Sequence, residues 1–309
     1  MTAVLGGEPS GLARIGRTLQ GHCAGYGFLA PWLLGFFFLT LGPAISSFYL
    51  SLTDYDLSRD PYWIGGENYV YMLTGDPRFV QSMKVTFTFV ALSVPLKLAF
   101  ALALAVMFNK GLAGLTVFRA IFYLPSLMGG SVAVAVLWRQ VFAGDGLLNQ
   151  VLHSLFGFQG QNWVSSPSTS LYTLVLLSIW QFGSPMIIFL AGLRQIPKDM
   201  YEAASIDGAS PRRQFWKITL PLLTPVIFFN VVIQIIDAFK AFTSAFVISD
   251  GSGGPIDSTL FYTLYLYQEA FANLRIGYAS ALAWVLVVII AFFTALSFVS
   301  SKLWVHYDD

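Results

Sequence analysis

The stretch Arg194-Gln-Ile-Pro-Lys-Asp-Met-Tyr-Glu-Ala-Ala-Ser-Ile-Asp-Gly-Ala-Ser-Pro-Arg-Arg-Gln-Phe-Trp-Lys-Ile-Thr-Leu-Pro221 decides how the chain is read. It carries five Lys or Arg residues and lies between two apolar runs, each long enough to cross a membrane. It also carries the signs of two short helices. Pro197 can open the first, which Met200, Tyr201, Ala203 and Ala204 continue. Asp207-Gly208 breaks it, since glycine tolerates positive φ. Ser210-Pro211 reads as N-cap and first-turn proline of the second, which holds Arg212, Arg213, Phe215 and Trp216. The residues alone leave two readings open. One is a bent pair whose small Ala203 and Ala204 let another protein approach closely; the other is an amphipathic connector.

Working outward, six segments are long and apolar enough to span a bilayer. They run approximately Tyr26–Leu52, Val85–Phe108, Ala120–Phe142, Leu171–Leu193, Leu222–Ile248 and Ile276–Ser301. The first follows a weakly basic tail and is too long for the apolar part of a signal peptide. Ten Lys and Arg residues fall on the side of the quoted stretch and three (Arg59, Arg78, Arg275) on the other, which places both termini in the cytoplasm. The expected organisation is a tail at 1–25, a six-helix membrane domain at 26–303 and a short tail at 304–309, all-α throughout.

Composition agrees. Of 309 residues, 56% are hydrophobic and 11% charged, against about 25% charged in soluble domains. A net charge of +1 leaves no electrostatic footprint for nucleic acid. One cysteine, Cys23, and three scattered histidines leave no expected metal site. Membrane lipid is the expected surrounding. Twenty-eight Phe, fourteen Tyr and eight Trp suit that setting, with Trp138, Trp163 and Trp304 read as interfacial residues.

Ionisable groups inside spans are expensive and usually face a bundle interior. Asp237 and Lys240 stand at i and i+3, so they share a face and can pair. Gln234, Asp237 and Thr243-Ser244 approximate a polar stripe. Two roles stay open for the pair: a structural lock or a cargo-facing group. Lys97, beside Pro95, reads either as lining a polar interface or as a snorkelling or structural lysine, and Arg139 as an anchor. Gly35, Gly183 and Gly192 read as positions of close helix packing.

Glu202-Ala-Ala-Ser-Ile-Asp-Gly-Ala209, followed by Ile218, Leu220-Pro221 and Pro225, resembles the EAA loop of ABC-importer permeases. The similarity extends from about Tyr26 to the end. It includes Gly66-Glu-Asn-Tyr69, Phe118-Arg-Ala-Ile-Phe-Tyr-Leu-Pro125, Leu137-Trp-Arg139, Gly144-Asp-Gly-Leu-Leu-Asn149, Asp250-Gly-Ser-Gly-Gly-Pro255 and Gly277-Tyr-Ala-Ser-Ala281. The nearest group is similar to the first permease of carbohydrate importers of the maltose and glycerol-3-phosphate type. The resemblance implies a type I importer permease (MetI-like) fold and alternating access driven by ATP hydrolysis on another subunit. No G-x-x-x-x-G-K-[ST] loop occurs here, so no cofactor is expected on this chain, ATP and magnesium belonging to the ATPase.

The implied partners are a second permease subunit, an ABC ATPase dimer, an extracytoplasmic binding protein and a carbohydrate. The implied ATPase-coupling residues are Glu202, Ala203, Ala204, Asp207, Gly208, Ala209, Arg212 and Arg213. The implied cargo-binding residues are Ser178, Trp180, Gln181, Ser184, Gln234, Asp237, Lys240 and Thr243, although Lys240 and Thr243 stand where the family carries asparagines. Trp180 offers a flat apolar face to a sugar. The competing expectation is an ion-gradient-driven transporter coupled through Asp237 and Lys240. A membrane enzyme has no supporting nucleophile–base or metal motif.

Overall fold

The computed structural model describes residues 28–109, 115–128, 130–158 and 160–306. The whole expected 1–25 tail with Cys23, and also Tyr26, Lys110 and the last three residues, therefore lie outside the described residues. The architecture is helical, as expected, with one short antiparallel ribbon. Helix α1 (Phe28–Ser51) leads into β1 (Thr53–Asp54), which pairs with β2 (Tyr62–Trp63). Then come α2 (Glu67–Thr74) and the 33-residue α3 (Pro77–Asn109). Asp76 caps α3 by accepting from the backbone N–H of Arg78 and Phe79, both at 3.0 Å, and Pro77 holds the first position where no N–H is needed.

Of the six expected spans, four are unbroken helices or nearly so: α1, α3, the Thr224–Ile248 segment and the final Ile276–Trp304. The third and fourth are each two helices. The third divides into α4 (Leu115–Met128) and α5 (Val132–Val141). Ser131 caps α5, its hydroxyl accepting from Val134 N–H at 3.3 Å. After α6 (Leu147–Phe156), the fourth divides into α7 (Ser170–Trp180) and α8 (Gly183–Gln195), bent by 41°. Pro185 has no N–H for the Gln181 carbonyl four residues back, so the helix cannot run through. Gly183 is needed at the bend for contact with α4: a Cβ there would lie 2.7 Å from Ser126 Oγ and 3.0 Å from the Phe122 carbonyl.

The basic connector folds as α9 (Lys198–Ile206) and α10 (Pro211–Gln214), which continues through a wide π turn at Phe215–Thr219 and a short helical turn at Leu220–Leu222. Next are α11 (Thr224–Phe239) and α12 (Thr243–Ile248). The outer segment holds a 3-10 turn at Pro255–Asp257 and α13 (Tyr262–Tyr267), and α14 (Ile276–Trp304) closes the chain.

The long α3 is the central post. It packs against α8, α7, α11 and α13, while α1 lies along α14. The core beneath is apolar and aromatic, with Phe189, Met186, Leu177, Leu223, Phe239, Phe261 and Leu282 fully enclosed. One further close approach fixes the packing. A Cβ on Gly192 would come within 2.8 Å of Val226 and 2.9 Å of Leu223, so α8 and α11 nearly touch there. Around Gly35, by contrast, no atom of the described residues lies within 4 Å of such a Cβ, so that glycine marks no close approach among them.

The outer ends are tied by polar contacts. The buried Asp76 carboxylate also accepts from the hydroxyls of Tyr265 and Tyr278. Arg78 forks onto Asp257, and Arg275 pairs with the buried Glu269 at 3.2 Å. Arg139 pairs with Asp250, tying α5 to the end of α12. The indole N–H of Trp138 donates to the Thr173 carbonyl at 3.0 Å and its ring lies against Trp180 and Phe142. The indole N–H of Trp163 likewise donates to Asn149 at 2.7 Å.

Candidate functional site

Two places in this fold gather the residues that carry function. The first is the elbow between α9 and α10. Its geometry follows from local chemistry. Asp207 ends α9, and Gly208 takes a left-handed conformation at φ +77°. The N–H of Ala209 then donates to the Ala204 carbonyl at 2.8 Å, and that of Gly208 to the Ser205 carbonyl at 3.1 Å. This pair of bonds is a complete Schellman cap, which satisfies the carbonyls that a helix end leaves orphaned. Ser210 caps the second helix by accepting from Arg213 N–H at 3.4 Å.

Side chains stitch the two arms together. The Gln214 amide donates to Ser205 Oγ at 2.9 Å and to the Ala209 carbonyl at 3.1 Å. The Tyr201 hydroxyl meets Thr219 Oγ1 at 2.9 Å. On the outside of the elbow, Glu202, Ala203, Asp207, Gly208, Arg212 and Arg213 are exposed, while Ala204 and Ala209 are half-buried at the joint. Ile206 is 87% exposed at the bend. The sequence reading passed over it, although an isoleucine among charged neighbours at a helix end is itself a signal of an unsatisfied apolar surface.

The second place is a polar cavity of about 240 Å³ at the level of the helix breaks. Helix α3 supplies Ser93 and Lys97; α7 supplies Ser178; the α7–α8 break supplies Gln181. Helix α11 supplies Gln234 and Asp237, the α11–α12 break supplies Lys240, and α12 supplies Thr243 and Ser244. Six of the eight expected cargo residues thus border one space: Ser178, Gln181, Gln234, Asp237, Lys240 and Thr243. Trp180 and Ser184 do not. Trp180 is packed beside Trp138, and the backbone N–H of the exposed Ser184 donates to Ser126 Oγ at 3.2 Å.

The expected i, i+3 pairing of Asp237 and Lys240 is corrected by the structure. Lys240 is the C-cap of α11, its N–H still donating to the Ile236 carbonyl at 3.2 Å, yet among the described residues the two side chains form no ion pair. The freed backbone finds a distant partner, the Ala241 carbonyl accepting from Thr263 Oγ1. Of the two readings the sequence left for Lys97, the structure favours the polar interface over snorkelling. It is half-buried, borders the cavity, and lies within electrostatic reach of Asp237. Among the described residues no group of His, Cys, Asp and Glu is spaced to hold a metal.

Residues 77–306 match the family model described as the binding-protein-dependent transport system inner membrane component. The chain belongs to this family. The permease is 52% identical over 288 residues to the probable ABC transporter permease protein YesP of Bacillus subtilis strain 168, covering 93% of each chain. It is 34% identical over 285 residues to the arabinooligosaccharides transport system permease protein AraP of the same organism, covering 91% of this chain and 88% of that one. Its fold matches the crystal structure of a bacterial alginate ABC transporter in complex with an alginate pentasaccharide-bound periplasmic protein. The TM-score is 0.80 at 20% identity, over 94% of this chain and 97% of that one. The permease is thus a membrane-embedded ABC transport subunit and not an enzyme, and its fold is the importer permease fold. The gradient-driven alternative finds no support among these likenesses.

Proposed function

We propose that the permease forms, with a second permease subunit, the membrane pathway of an ATP-driven importer of carbohydrates. An ABC ATPase dimer seats the α9–α10 elbow on the cytoplasmic side, where both termini also lie. An extracytoplasmic binding protein delivers the cargo to the opposite face. Nucleotide and magnesium stay with the ATPase. Glu202, Arg212 and Arg213 supply charged contacts on the elbow, and Ile206 fills an apolar recess in the ATPase. The cargo passes the cavity bordered by Gln181, Gln234, Asp237, Lys240 and Thr243.

The observation that carries this reading is the elbow itself. Its cap is closed by its own backbone hydrogen bonds, yet its outer surface leaves Glu202 and Ile206 exposed among the described residues. Through α8 and α11 it connects to both helix breaks beside the cavity. The relatives named for oligosaccharide transport support carbohydrate as the cargo class. The test is ATP hydrolysis by the purified multisubunit complex with a panel of sugar-loaded binding proteins. Stimulation by a loaded protein in the wild type, lost in Glu202→Lys with assembly intact, is the expected result. Equal stimulation in both would overturn the coupling role. No stimulation by any loaded protein in a well-folded complex would overturn the carbohydrate reading.

A further inference from the structure

The charges around the cavity do not balance. Lys97 and Lys240 bring two positive charges and Asp237 one negative. Neither lysine has an ion pair among the described residues. Such groups are costly inside a bilayer unless something partners them. One residue away from saturation lies Ser93. It stands four positions before Lys97 on α3, so the two share a helix face. Its hydroxyl is fully buried, borders the same cavity, and has no hydrogen-bond partner among the described residues. A buried hydroxyl left unpaired is uncommon and costs free energy that a ligand oxygen would recover.

We propose that the cargo is an acidic carbohydrate of the uronic-acid class, its carboxylate held by Lys97 and Lys240 with Ser93 donating a further hydrogen bond. This rests on the carbohydrate-importer reading above. On this chain's share of the lining, the net single positive charge matches a monoanion. A phosphate monoester carries about −1.5 to −2 at neutral pH and would be opposed by Asp237. The remaining lining, Gln234 and Thr243 among it, suits sugar hydroxyls.

The test is ligand-observed NMR on the whole permease–ATPase complex in lipid nanodiscs, with the binding protein omitted so that its own selectivity does not enter. The probes are a uronic-acid disaccharide, its carboxyl-reduced neutral twin, and glycerol phosphate. The wild type is expected to bind the uronate on the order of tenfold more tightly than the twin, the worth of a charged hydrogen bond. It is also expected to favour the uronate over the phosphate. Lys97→Gln and Lys240→Gln should each lower the uronate-to-twin ratio about tenfold. Asp237→Asn, which leaves two unopposed lysines, should raise the standing of glycerol phosphate against the uronate, a gain that misfolding cannot mimic. Absent uronate binding, equal binding of the twin, wild-type preference for the phosphate, or a ratio unmoved in both lysine variants would each overturn the proposal. If a neutral sugar-loaded binding protein stimulates ATP hydrolysis while the uronate fails to bind, the importer reading stands and only the acidic class falls.

Discussion

Arg78 and Asp257, 179 residues apart, are joined by two parallel hydrogen bonds of 3.1 and 3.0 Å between guanidinium and carboxylate. Gln268 completes the clamp, its amide oxygen accepting from Arg78 at 3.0 Å. The clamp holds a turn in which Ile256 is 86% exposed and adopts φ +55°, a conformation that β-branched residues rarely take. Because both partners are about a third exposed, water screens the pair and roughly 1 kcal/mol or less is at stake.

Arg78→Lys keeps the charge and loses the fork. The variant should cleave faster than wild type at 253–258 under limited proteolysis of the reconstituted complex. Equal cleavage rates would show that the turn is held by other means.

Gly208→Ala places a Cβ on a left-handed residue, at a cost of roughly 1–2 kcal/mol. The elbow should fray locally without loss of the membrane domain. Hydrogen exchange should rise at Ser205–Ala209 while α3 remains protected, and sugar-stimulated ATP hydrolysis should fall. Unchanged exchange at the elbow would contradict the cap described for it.

Ile206→Asp alters a side chain that packs against nothing in the permease. Expression and thermal stability of the isolated subunit should hold within about 0.5 kcal/mol. Co-purification of the ATPase should drop severalfold. A variant that keeps its ATPase would remove Ile206 from the contact surface.

Glycine substitutions should separate by surroundings. Gly183→Ala forces a Cβ against α4 backbone, and overpacking of this kind costs about 1–3 kcal/mol. Gly35→Ala enters open space and should leave thermal stability unchanged or slightly higher. Equal melting temperatures for the two variants would show that α4 gives way easily.

Asp237 and Lys240 should behave as independent charges. In a double-mutant cycle on thermal stability, Asp237→Asn and Lys240→Gln should add within about 0.5 kcal/mol. Strong non-additivity would restore the locked pair.

What the residues announced and what they hid divide along a physical line. The Schellman cap at Gly208 and the Ser210 cap are local chemistry, complete within a few residues, and both were legible. The spans were legible because a bilayer demands long apolar runs. The bend at Pro185 had its marker, yet the apolar run across it read as one helix. The break at Lys240 had none: no glycine or proline stands there, and the carbonyl it frees is satisfied by Thr263, over twenty residues on. Lys97 was hidden for a different reason. Helix α3 is apolar nearly all round, so periodicity gives no direction to any one of its side chains. Only the packing of α7 and α11 around it turns Lys97 toward the cavity.

The contact at Gly192 has a mechanical meaning. There α8, leading into the elbow, and α11, leading out, meet with no clearance for even a methyl group. The two legs cannot scissor at that point. A push on the elbow travels along both as one stiff lever, with a tight bearing beside the cytoplasmic end. The lever gives only where its helices stop, at Gln181 on one leg and Phe239 on the other. Those two joints lie beside the polar cavity.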